Sequence, residues 1–197
     1  MILSRILLAS GSPRRLELLR SLGLEVEVLP SGYEEPPVAG LAPAELASYH
    51  AREKLAAVLG RLSEPLDTPV LAADTVVDLD GVALGKPRDE PEARRMLEVL
   101  SGREHEVHTA FALVTGRGGA AERSTTRVRF YPLAAVEIEA YVAAGESLDK
   151  AGAYGIQGRA ASLVESIEGD FYTVMGLPVA RLVRALKGLG FTLPAPK

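Results

Sequence analysis

Cysteine is absent from this 197-residue chain, and with it go disulfides, thiolate zinc sites and cysteine nucleophiles. No apolar run reaches the roughly 18 residues that a membrane-spanning helix needs. The opening residues MILSRILLAS lead into a strand-like segment rather than a cleavage site, so a cytoplasmic setting is expected. A basic excess is missing as well. Lys and Arg number 22 against 26 Asp and Glu, a net charge of −4, which excludes general coating of nucleic acid but leaves room for a local cationic pocket. No low-complexity tract, internal repeat or separable linker divides the chain, and a single domain over 1–197 is expected. The loosest segment is Ser31 to Pro43.

Several familiar motifs are also lacking. In GVALGKPRD, Gly81 and Gly85 enclose three residues rather than four, and Pro87 stands where a phosphate-binding loop needs Ser or Thr. In HEVH, His105 and His108 are three apart on a predicted strand, which points them to opposite faces. His50 lies at a helix edge, where a structural role is favoured. GRGGAA is turn chemistry without the order of a dinucleotide fingerprint, and no serine-hydrolase elbow is present.

What is present alternates between strands and helices, predicting an α/β fold with a mixed sheet. RILLAS reads as a buried strand. Ser12 can cap a helix running from Pro13 to Leu22, closed by Gly23, and LEVEVLP reads as a second strand. A long helix is predicted from Pro43 to Leu59. A strand through LAADTVVDL then turns at Asp80-Gly81 into a short return strand. Another helix starts near Asp89, with Glu92 completing its cap. A long hairpin, a helix over Leu133 to Ala144, the glycine-rich AGAYGIQG, a strand in ASLVESI and a last helix from Pro178 complete the pattern.

Three places depart from it. The helix after Ser12 carries Arg14 and Arg15 in its first turn, where the macrodipole disfavours cations by about 0.3–1 kcal/mol each. Either they are solvated surface arginines, or they meet an anion together with backbone N–H groups and the Ser10 and Ser12 hydroxyls. Lys54 falls within the apolar stripe of Ala47, Ala51, Leu55 and Val58, so it either snorkels past the alanines or enters a cleft as a further phosphate contact. Asp74 follows four apolar residues and is expected to emerge near a strand end or bulge. Glu34 and Glu35, in the loose segment, offer further carboxylates of the kind Mg2+ or Mn2+ prefers. Lys86 is a further position that can face phosphate.

Taken in order, LASGSPRRLELL, AREK, AADTVV, GKPRD, LSGREHEVHTA, LDKAGAYGIQG and GLP give the chain its resemblance to the Maf family, the septum-formation-inhibitor-like nucleoside triphosphate pyrophosphatases. The resemblance implies an α/β fold of two lobes around a central cleft, a homodimer, and metal-dependent hydrolysis of a nucleoside triphosphate to monophosphate and pyrophosphate. It implies that Asp74 accepts the proton of the attacking water, and that Glu35, in preference to Glu34, holds the Mg2+ or Mn2+ with Asp74. Arg14, Arg15, Lys54 and Lys86 would clamp the phosphates. Arg14, Thr75 and Gln157 resemble the members that act on uridine and thymidine triphosphates, so dTTP and UTP, with modified pyrimidine triphosphates, are the expected substrates. Thr173 and Ser147 depart from the asparagine and proline common in the family. The competing reading is a nucleotide-binding regulator of septum formation without turnover; a phosphotransferase is a weaker third.

Overall fold

A computed structural model describes residues 1–62 and 68–194. Its strands are β1 (Arg5–Leu8), β2 (Glu25–Val28), β3 (Val70–Leu79), β4 (Val82–Leu84), β5 (Glu104–Thr115), β6 (Gly118–Phe130) and β7 (Val164–Glu168). The helices are α1 (Pro13–Ser21), α2 (Pro43–Leu59), α3 (Glu90–Leu100), α4 (Ala135–Ala143), α5 (Phe171–Met175) and α6 (Val179–Gly188). All seven strands form one mixed sheet in the order β2-β1-β3-β5-β6-β7, with β4 paired to β3. β1 runs parallel to β2 and β3, whereas β3, β5, β6 and β7 are successively antiparallel. The expected α/β class and mixed sheet are therefore present.

Alternation along β3 and β5 sorts side chains onto two faces. On one face, Leu71, Ala73, Phe111 and Leu113 pack with Leu18 and Leu19 of α1 and Leu182 and Leu186 of α6. Farther along the same face, Val77, Leu79 and Val107 pack with Leu97 of α3 and Ile138 and Val142 of α4. The opposite face is covered by α2, whose Ala47, Ala51 and Val58 meet Val76, Ala110 and Ala72. Two apolar clusters thus share one long pair of strands, and the polar residues between them open into a cleft.

Some expectations shift. Asp74 is not at a strand end or bulge but midway along β3, in regular register opposite Ala110. Strand regularity survives there because a cation from α2 meets the carboxylate. Ser12 does not cap α1 through its side chain; its own N–H donates to Ser10 Oγ at 3.3 Å. Asp89 does cap α3, accepting from Glu92 N at 2.8 Å. The five-residue α5, capped by Asp170, lies in a stretch where the pattern predicted no helix.

His105 lies in the second cluster, edge-on to Phe130, with Nε2 2.7 Å from the Tyr154 hydroxyl. Burial lowers its pKa to about 4. The unfolded chain binds this proton below about 6.5, the folded chain only below about 4, so stability present above 6.5 is lost as pH falls through that window. The contribution approaches about 3 kcal/mol at 1.36 kcal/mol per pKa unit. Urea unfolding at a series of pH values should show a smaller decline between pH 6.5 and 4 for His105→Gln than for the natural chain. Equal slopes would place the acid sensitivity elsewhere.

Candidate active site

A cavity of about 700 Å³ opens where the β1–α1 turn, the loop after β2, the middle of β3 and the residues 149–157 converge. The arginine pair of α1 divides at once. Arg15 is buried and spoken for: Nε donates to the Gly176 carbonyl at 2.7 Å, one terminal nitrogen to Ser10 Oγ at 3.0 Å and the other to Thr75 Oγ1 at 3.1 Å. Burial lowers its pKa, opposed by the carboxylates of Asp74 and Glu35. Three of its five N–H donors are therefore satisfied by the fold, and the remaining ones belong to terminal nitrogens on the cavity wall. Arg14 is freer. It pairs with Asp149 at 3.7 Å, and its side chain keeps about a quarter of its surface open.

Thr75 completes a hydroxyl chain, receiving Arg15 and lying 2.9 Å from Thr109 Oγ1, which donates to the Thr173 carbonyl at 2.7 Å. Gly176 turns the chain with φ +112, a conformation that suits glycine and ends α5 where its neighbourhood meets Arg15.

On the other side of β3, Lys54 enters the cleft. Its Nζ lies 2.6 Å from Asp74 Oδ1 and 2.6 Å from Glu35 Oε1. Lys86, largely exposed, approaches the same Glu35 oxygen at 3.8 Å. Burial alone would raise the Glu35 carboxyl pKa, but the Lys54 ammonium, through charge and hydrogen bond, outweighs it and holds the pKa below the ordinary value. Asp74 Oδ2 is buried and has no hydrogen-bond partner. Such an atom is costly unless something completes it. Glu34 does not reach the cavity wall; Glu35 does.

The third wall is the glycine-rich segment. Lys150 Nζ is held by the Glu146 carbonyl and Asp149 Oδ1, each at 2.5 Å, and Asp149 also faces Arg14. Burial raises the Asp149 carboxyl pKa, but Lys150, followed by Arg14, prevails and lowers it. Gly155 makes room for this lysine: a Cβ there would sit 2.7 Å from Lys150 Cε. Gln157 projects from the rim as an exposed residue.

The arrangement brings Ser10, Ser12, Arg14, Arg15, Glu35, Lys54, Asp74, Thr75, Lys86 and Gln157 around one cavity. A family model described as Maf-like protein matches residues 5–189. The chain belongs to the Maf family. Among its relatives, a dTTP/UTP pyrophosphatase of Thermus thermophilus is 52% identical over 186 residues, covering 94% of this chain and 95% of that protein. One from Symbiobacterium thermophilum is 47% identical over 191 residues, covering 97% of each chain. A third, from Bacillus cytotoxicus, is 46% identical over 185 residues, covering 94% and 95%.

In this Maf chain, the cavity wall also holds polar residues to which the sequence gives no site role, Asp149, Lys150, Tyr33 and His50 among them. Asp149 and Lys150 stand beside the glycine-rich stretch, whose small residues were the available signal. Tyr33 and His50 line the wall near Glu35, with the Tyr33 hydroxyl 3.3 Å from His50 Nδ1. His50 precedes Lys54 by four residues, and that helical spacing places both on one face. No helix among the described residues is long and apolar enough to cross a membrane.

Proposed function

We propose that this chain hydrolyses dTTP and UTP, and modified pyrimidine triphosphates of similar shape, to the nucleoside monophosphate and pyrophosphate. The carrying observation is a buried carboxylate, Asp74, with one oxygen held by Lys54 and the other unpartnered, facing a cavity ringed by arginine and lysine. The names of the relatives, each a dTTP/UTP pyrophosphatase, support the substrate class.

A triphosphate brings about four negative charges. Arg14 and Lys86 are the cations with the most freedom to meet them; Arg15 holds the turn and offers its remaining N–H groups with the Ser10 and Ser12 hydroxyls. Lys54 shields the phosphates from Asp74 and Glu35. A water between Asp74 Oδ2 and the α-phosphorus forms the new P–O bond. The bond from that phosphorus to the bridging oxygen breaks, pyrophosphate leaves with the electron pair, and Asp74 takes the water proton. Preorganised cations supply the largest share of the acceleration. Gln157, at the rim, has both a donor and an acceptor for the uracil or thymine edge, and Thr75 supports the pocket through Arg15.

A divalent cation fits this site. Asp74 Oδ2 is an orphaned buried oxygen, and Glu35 shares an ammonium with the same side chain, so their carboxylates lie within twice the 2.6 Å ion-pair distance. Hard oxygen donors of this kind suit Mg2+ or Mn2+. Bound by Glu35 and Asp74, such an ion supplies neutralising charge and acidifies nearby water.

A regulator without turnover would gain nothing from an aspartate buried against a polyanion, so the enzyme reading is preferred. We take the whole chain, acting in the cytoplasm, as one domain whose two lobes and homodimeric state are those the family resemblance implies. The deciding assay is pyrophosphate release from a panel of triphosphates with Mg2+ or Mn2+. Release greatest with dTTP and UTP is expected; binding without release from any nucleotide would overturn the proposal.

Arg14→Ala should weaken triphosphate binding by about tenfold, the loss of one charge-assisted contact. Its melting temperature should hold, because its ion pair with Asp149 is long and the dipole clash disappears with it. A clear loss of stability without ligand would make Arg14 a structural residue.

A further inference from the structure

The two histidines of the HEVH segment have different neighbours. Alternation along β5 separates His105 from His108, but it puts Glu106 and His108 on one face. The β3–β5 register then brings Asp78 opposite Glu106. We propose that Asp78, Glu106 and His108 form a site for a divalent transition-metal ion of the zinc class, separate from the cleft, whose wall includes none of the three.

Their ligand atoms all lie within 4.8 Å of one another. His108 Nε2 is 3.3 Å from Asp78 Oδ2 and 3.6 Å from Glu106 Oε2. A charge-assisted N–H···O bond settles at about 2.7–2.9 Å. By contrast, donors bonded to zinc at about 2.0–2.1 Å in a tetrahedron stand about 3.3 Å apart. The two separations from His108 Nε2, 3.3 and 3.6 Å, are close to that value, although the shorter also serves as a long hydrogen bond without the ion.

The imidazole is also set up as a ligand. It is buried, 3% exposed, and its Nδ1 lies 2.8 Å from Thr125 Oγ1, which fixes the ring with Nε2 toward the carboxylates. An outer partner on the second nitrogen is the usual companion of a metal-bound histidine. Asp78 is fixed likewise, since Oδ1 accepts from Gly81 N at 2.7 Å and leaves Oδ2 to the cluster.

Charge points the same way. Among the described residues, no lysine or arginine forms an ion pair with Asp78 or Glu106. Arg127, opposite Glu106 on β6, is drawn instead to Glu168 at 2.5 Å and Glu104 at 3.9 Å. Two carboxylates therefore surround one imidazole without a permanent cation. One nitrogen and two oxygens leave a fourth zinc position for water, and half-exposed Glu106 provides the entry. A bound ion would tie β3 to β5 beside the Asp80-Gly81 turn.

The test is titration of Zn2+ into the full chain after chelator treatment, followed by calorimetry and by histidine ring NMR. The chain has three histidines, so each ring is separately visible. With Mg2+ in excess throughout to fill the Glu35–Asp74 position, one Zn2+ should bind and shift the His108 signals, leaving His50 and His105 in place. Loss of an outer partner alone costs about 10–100-fold in metal affinity, so His108→Gln and Glu106→Gln should each weaken binding by at least about tenfold. Half-exposed Glu106 can be changed without disturbing the fold if His108→Gln does not fold. Asp74→Asn should bind this Zn2+ as before, which separates the site from the cleft. Unmoved His108 signals, unchanged affinity in Glu106→Gln, or loss of binding in Asp74→Asn alone would overturn the proposal.

Discussion

Asp74→Asn should release pyrophosphate from dTTP with kcat lowered by about a hundredfold or more, the lower range for losing a positioned general base. Asparagine has the same shape, so the strand and its neighbours have no reason to move. Lys54 retains Glu35 as a counter-ion at 2.6 Å, which spares the variant an unpaired buried ammonium. What disappears is the charge on the carboxylate whose Oδ2 is free to receive a proton. Circular dichroism and the melting temperature should stay close to those of the natural chain. Turnover near the original rate would remove Asp74 from the chemistry and leave it a structural partner of Lys54.

Lys54→Met should be the most damaging change to stability, about 3–5 kcal/mol in urea unfolding at neutral pH. That is the cost of breaking a buried ion pair by removing one member. Lys54 and Asp74 have side chains only 9% and 4% exposed, so water can do little for the carboxylate left behind. Against a total stability of about 5–15 kcal/mol the loss is large. The origin of the cost is separable. In an Asp74→Asn background the same substitution should cost less, because the carboxylate then left behind is that of Glu35, a third exposed and still within 3.8 Å of Lys86. Equal costs in both backgrounds would assign Lys54 a packing role through its methylenes.

Local chemistry was legible wherever neighbours in sequence carry it. The alanine stripe predicted α2 over Pro43–Leu59, and the Asp89 cap with its first-turn acids predicted α3. The long hairpin was expected from its apolar strands around a glycine-rich turn. The site was legible as residue types, less as geometry. Asp74 reads as misplaced in a strand because its counter-ion comes from Lys54, twenty residues earlier on another element. Arg14 and Arg15 look alike in sequence, yet Arg15 is held by residues 5, 60 and 161 positions away. Periodicity carries no record of such partners. The short α5 failed for a different reason: five residues show too little of a helical period, although Asp170 offered a cap.

The hydrogen bond from Arg15 to the Gly176 carbonyl has a consequence for how the protein is born. During synthesis the first strand and helix leave the ribosome long before their last partner is translated. Until that late carbonyl emerges, the guanidinium has an incomplete set of acceptors, and the turn beside it stays unfinished. A prematurely terminated polypeptide lacking this segment would therefore carry every phosphate-facing cation and still have no organised place to receive a nucleotide.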